Sequence, residues 1–136
     1  MEIALPIETC VGILCGRDAI YLDTVIQDDS GAVIFRGTLN GALTPANGSG
    51  KEWLSYTLTF PHVLACFYCE LDTYESMTDT KQPNTSSFAL IENSEWLQSL
   101  PVRKDFEKKR YKHYRVFTYD VVYNIIATEY WLTVNM

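Results

Sequence analysis

Residues 19–39 read AIYLDTVIQ-DDSG-AVIFRGTL, and this stretch decides the fold. Ile20, Leu22, Thr24 and Ile26 alternate with Tyr21, Asp23 and Val25, the period-two signature of a strand. Asp28-Asp29-Ser30-Gly31 interrupts the alternation with turn-forming side chains, and Gly31 can take a positive φ. Ala32–Leu39 then resumes the pattern. Two strand-like runs around a short polar turn predict an antiparallel hairpin.

The same pattern recurs further along. Gly41–Gly50 carries Gly, Pro, Asn and Ser and reads as a loop. Lys51–Phe60 places Tyr56, Leu58 and Phe60 on one face and Ser55, Thr57 and Thr59 on the other. Pro61 breaks that ladder by removing an N–H. Val63–Leu71 resumes as a strand, and the polar stretch Thr73–Ser86 reads as an exposed loop. Ser87–Glu92 is a short strand. Asn93 or Ser94 can cap a short helix through Leu100, with Trp96, Leu97 and Leu100 as its buried stripe. Tyr111–Tyr119 alternates again, with Tyr114, Val116 and Thr118 opposite His113, Arg115, Phe117 and Tyr119. Val121–Val134 is rich in β-branched and aromatic residues, which favour a strand over a helix. The expected fold is α+β, mostly β. It is one domain over residues 1–136, a curled or packed antiparallel sheet of about seven strands with one or two short helices.

The composition supports a real core. Of 136 residues, 47% are hydrophobic and 13% aromatic, including nine Tyr. The net charge is −6, and it is unevenly placed. Residues 1–100 hold 13 acidic and 4 basic side chains, whereas all seven basic residues of 101–136 fall between Arg103 and Arg115. An acidic body with one basic segment predicts a surface that meets something charged. The acidic balance also argues against nucleic acid, which usually calls for a basic domain or face. No run reaches the ~20 apolar residues of a membrane span. The N-terminus lacks the positive region of a secretory signal, so a cytoplasmic location is expected.

No catalytic motif survives a physical test. Cys10, Cys15, Cys66 and Cys69 suggest a zinc site, but residues three apart in a strand face opposite sides, so Cys66 and Cys69 do not converge. As a redox dithiol the same pair lacks a helix N-terminus to lower a thiol pKa. Gly48-Ser-Gly-Lys51 fails as a phosphate loop, because Pro45 and Glu52 stand where Gly and Ser or Thr are needed. His62 and His113 sit in strand-like sequence with no nucleophile elbow nearby. Glu70, Asp72, Glu75 and Asp79 lack the calcium-loop spacing and read as a solvated acidic surface or docking patch. No metal and no cofactor are expected.

In size, acidity and strand content the chain resembles small bacterial immunity or inhibitor proteins. With the acidic surface, the aromatic richness and the missing catalytic set, the expectation is a non-enzymatic protein that occludes or captures another protein. The expected partner is a basic protein, met by Glu70, Asp72, Tyr74, Glu75 and Asp79. The alternative expectation is a small-ligand or nucleotide pocket that uses Arg110, Lys112, His113 and Arg115 within the basic segment 103–115. Tyr-rich unpaired edge strands would also suit a homodimer.

Overall fold

The computed structural model describes residues 1–78 and 86–136. The chain is mostly β, with two helices. The first elements are β1 (Ile3–Pro6), β2 (Glu8–Thr9), β3 (Gly12–Ile13), β4 (Ile20–Gln27), β5 (Val33–Asn40), β6 (Trp53–Phe60) and β7 (Ala65–Glu70). After them come α1 (Leu71–Thr78), β8 (Phe88–Glu92), α2 (Glu95–Ser99), β9 (Lys112–Phe117), β10 (Val121–Ala127) and β11 (Trp131–Asn135). A five-stranded sheet has the order β1-β8-β9-β10-β7, and a four-stranded sheet the order β11-β6-β5-β4. Strands β2 and β3 form a small ladder of their own. Every ladder is antiparallel.

The two larger sheets pack face to face over one hydrophobic core. Phe35, Leu54, Leu58 and Phe60 come from the four-stranded sheet; Tyr114, Val116, Tyr123 and Ile125 come from the other. Phe35 meets Tyr123 at 4.8 Å between ring centroids, and Phe60 meets Tyr114 at 5.4 Å. Burying each such ring contributes about 1.5–3 kcal/mol. Both helices lie on the outer face of the five-stranded sheet. Leu71 and Tyr74 of α1 pack on Phe117 and Val122, while Trp96 of α2 stands edge-on to His113 at 5.2 Å. Strand β10 is therefore covered on both faces, which explains its nearly unbroken apolar run.

The hairpin at 19–39 is present, with one departure from its expected alternation. Gly31 takes φ 89° in the turn, and Asp28 Oδ1 accepts from the Ser30 and Ala32 N–H groups at 2.9 and 3.1 Å. Leu22 pairs with Gly37 and Thr24 with Arg36, so Asp23 is an extra residue, a β-bulge. A bulge inverts the facing of every later residue. Val25 now pairs with Phe35, and Val25 and Ile26, the latter expected beside Leu22, are both exposed, at 39% and 43%. Gly37 is required here. A Cβ on it would lie 2.0 Å from the Tyr21 carbonyl oxygen.

Other expectations are corrected. Residues 73–78, read as loop, belong to α1, because Glu70 caps the helix: its carboxylate accepts from the Asp72 and Thr73 N–H groups, each at 2.9 Å. The rest of that polar stretch, 79–85, lies outside the described residues. The single run Val121–Val134 is two strands in different sheets, broken after Ala127. The ambiguity over the α2 cap resolves to Ser94, whose Oγ accepts from Leu97 N–H at 3.0 Å. Strand β1, not anticipated, adds to β8 as an outer strand, where Pro6 costs no interior ladder bond.

Candidate functional site

Two concavities stand out, one on each side of the five-stranded sheet. The larger is a groove of about 980 Å³ between β4 and β7. Each of these strands ends its sheet, so each leaves one row of backbone groups without a strand partner. The β9–β10 turn bounds the groove, with the Tyr119 N–H donating to the Ile20 carbonyl at 3.0 Å.

Aromatic rings shape this groove. Tyr21 stacks on Tyr119 at 5.3 Å, and Tyr68 leans on Tyr123 at 5.5 Å. Tyr68 is 70% exposed. Arg17 lies outside the lining and braces it from behind. Its Nε donates to the Tyr119 carbonyl at 3.0 Å, and a terminal nitrogen pairs with Asp120 at 3.3 Å. Partial burial, with the nearby charges of Asp18 and Asp120, holds the Tyr21 hydroxyl above its usual pKa. Burial also raises Tyr123 and the Cys66 thiol. These groups stay neutral near pH 7, which leaves Asp23, carried on the bulge, and Asp120 as the charges in the lining.

The smaller cavity, about 210 Å³, lies on the outer face between α1 and α2. Alternation in β9 and β10 aims His113, Arg115 and Asn124 at it. A buried chain of polar contacts runs beside it. Ser94 Oγ meets His113 Nδ1 at 2.8 Å, His113 Nε2 meets Asn124 Oδ1 at 2.7 Å, and Asn124 Nδ2 donates to the Tyr74 hydroxyl at 3.4 Å. With Asn124 oriented this way, Nε2 carries the proton and Ser94 donates to Nδ1. Burial lowers the His113 pKa, with the Arg115 charge adding to it, against the pull of Asn124 and Glu2. This set is not a serine nucleophile, because Ser94 is buried, caps α2, and is absent from the cavity wall.

The anticipated residues are spread differently from a single patch. The Glu70 carboxylate is engaged in the α1 cap. Asp72 is exposed, Glu75 half-buried, and Tyr74 buried against Phe117. Asp79 lies outside the described residues. Of the basic set, His113 and Arg115 share the small cavity, whereas Arg110 and Lys112 are exposed and away from it. Among the described residues the ion pairs are Arg17–Asp120 and Arg103–Asp105. The first braces the groove and the second lies within the basic segment. Lys108 instead donates to the Gln98 and Leu100 carbonyls at the end of α2, at 2.7 and 3.0 Å. No group of three or more His, Cys, Asp or Glu among the described residues is placed to hold a metal ion.

The groove residues Tyr21, Asp23, Tyr119 and Asp120, and the buried Asn124, were not anticipated. A signal existed for Asn124 alone: an amide inside an apolar strand demands buried hydrogen-bond partners. No protein-family model, curated protein or solved structure matches the chain.

Proposed function

We propose that this protein is a non-enzymatic binding protein, inhibitor- or immunity-like in character, that captures an extended basic segment of a partner protein between β4 and β7. The observation that carries this is the groove lining: tyrosine rings with the carboxylate of Asp23 and that of Asp120, which Arg17 pairs from behind, and no Lys, Arg or His in the lining itself. An extended segment can add to an unpaired strand edge through main-chain hydrogen bonds, while alternate side chains enter the groove. Tyrosines give such a contact large area at low entropic cost. The acidic field speeds the encounter and sets specificity. The cytoplasm is the compartment proposed for this encounter. Among the described residues no helix is long and apolar enough to cross a membrane.

The alternative nucleotide pocket has less support. Arg110 and Lys112 do not reach the cavity that holds His113 and Arg115. That cavity is also smaller than the roughly 300–1,000 Å³ common for ligand sites.

The test is an amide-shift titration of isotope-labelled protein at low salt, with extended Lys/Arg peptides and their acidic counterparts. Shifts confined to residues 20–27, 65–70 and 118–123, lost in Asp23→Lys and weakened in Tyr68→Ala, are expected. Equal binding by Asp23→Lys, or shifts elsewhere, would overturn the proposal. So would a concentration-dependent homodimer through β4, which would assign the edge to a second copy.

A further inference from the structure

The cavity between α1 and α2 holds one feature that its structural role does not absorb. Arg115 Nε is buried and meets no acceptor among the described residues. Its guanidinium carbon lies over the Phe117 ring, 5.1 Å from the centroid. A buried, oriented donor on a permanently charged group is costly unless an acceptor completes it. We infer that this cavity is a binding site for a small carboxylic acid, whose carboxylate pairs with the Arg115 fork and whose short apolar body lies against Phe67, Ile91 and Trp96.

Four observations select this chemistry. A guanidinium offers two parallel N–H groups, which match the two oxygens of one planar carboxylate. The walls beside it are apolar or aromatic, with Phe67 and Trp96 in edge contact at 5.0 Å. The third is charge. Burial favours neutral His113, against the pull of Asn124, and Glu2 lines the rim with its carboxylate accepting from Glu95 N–H at 2.8 Å. Arg115 is the one full positive charge in the lining and Glu2 the one full negative charge, a balance that disfavours sulfate or phosphate dianions more than a monoanion. The last is size: about 210 Å³ suits an acid of a few carbons and excludes a nucleotide.

The site lies on the opposite face of the sheet from the β4–β7 groove, so this inference does not depend on peptide capture. The direct probe is the Arg115 Nε–Hε resonance of the wild-type protein, titrated with acetate, propionate, butyrate and benzoate. Sodium sulfate and chloride at matched ionic strength are the controls. A saturable shift with a Kd of about 1 mM or tighter for one short acid, and binding about tenfold weaker for sulfate, is expected. Trp96 emission should change along the same isotherm, and Arg115→Met should abolish both responses. An Arg115 resonance that no carboxylate moves, or that sulfate and chloride move equally, overturns the inference without recourse to any variant.

Discussion

At the scale of single residues, His113 shows how a polar group can be buried at tolerable cost. Both ring nitrogens are satisfied, one by the hydroxyl that also caps α2 and one by an amide from the neighbouring strand. Burial makes the folded protein disfavour the protonated imidazole, against the pull of Asn124, and the His113 pKa falls below 6.5. The unfolded chain takes up this proton first as pH falls, so it binds more protons than the native state. Stability is then full above about pH 6.5 and declines as pH drops below it, by at most ~1.4 kcal/mol per pH unit for one group. Asp28 and Glu70 also have lowered pKa values, from 3.8 and 4.5, so their contributions are lost only in stronger acid. Denaturant midpoints of the wild type and His113→Gln between pH 8 and 5 separate these terms. The variant should be less stable at pH 8 by about 1–3 kcal/mol, with a flatter profile from pH 7 to 5. An unchanged slope would mean that His113 is not the titrating group.

At the scale of elements, the bulge in β4 is the most consequential local feature. It turns Asp23 into the groove and reverses the facing of the strand beyond it, and Gly37 permits it by letting the Tyr21 carbonyl approach. Tyr56 then donates its hydroxyl to that carbonyl at 3.0 Å. Gly37→Ala should push β4 off β5, lose the Tyr56 bond and cost on the order of 1–3 kcal/mol. Amide shifts at residues 21–24 would locate the damage, and a neutral substitution would refute the account. The bulge also marks where sequence reading reaches its limit. Alternation in β5, β6 and β9 is regular, so their inner and outer faces were legible. Nothing in the side chains of residues 19–27 announces an extra backbone residue, since a bulge is decided by the partner strand. Helix α1 was hidden for a similar reason: its apolar contacts, Leu71 and Tyr74, meet Phe117 and Val122 from a hairpin that lies far along the chain. Both concavities were illegible, because each is assembled from segments that only the sheet order brings together.

At the scale of the whole molecule, charge and layering divide the surface. One margin of the sandwich is open, tyrosine-lined and acidic; the outer sheet face is roofed by two helices over a small cavity with a cationic floor. The basic segment contributes Arg115 to that floor, while Lys108 closes the end of α2. Strand order carries a further implication for how fast this arrangement is reached. Ile3 finds Glu92, Trp131 finds Thr59, and Val121 finds Glu70, so three ladders of the larger sheets join segments remote along the chain. The β2–β3, β4–β5, β5–β6, β8–β9 and β9–β10 ladders join consecutive strands. Loop-closure entropy must be met before the distant contacts repay it, which places refolding in the millisecond-to-second range. Stopped-flow tryptophan fluorescence after dilution from denaturant checks this, and a relaxation within microseconds would show that these remote encounters do not limit the rate.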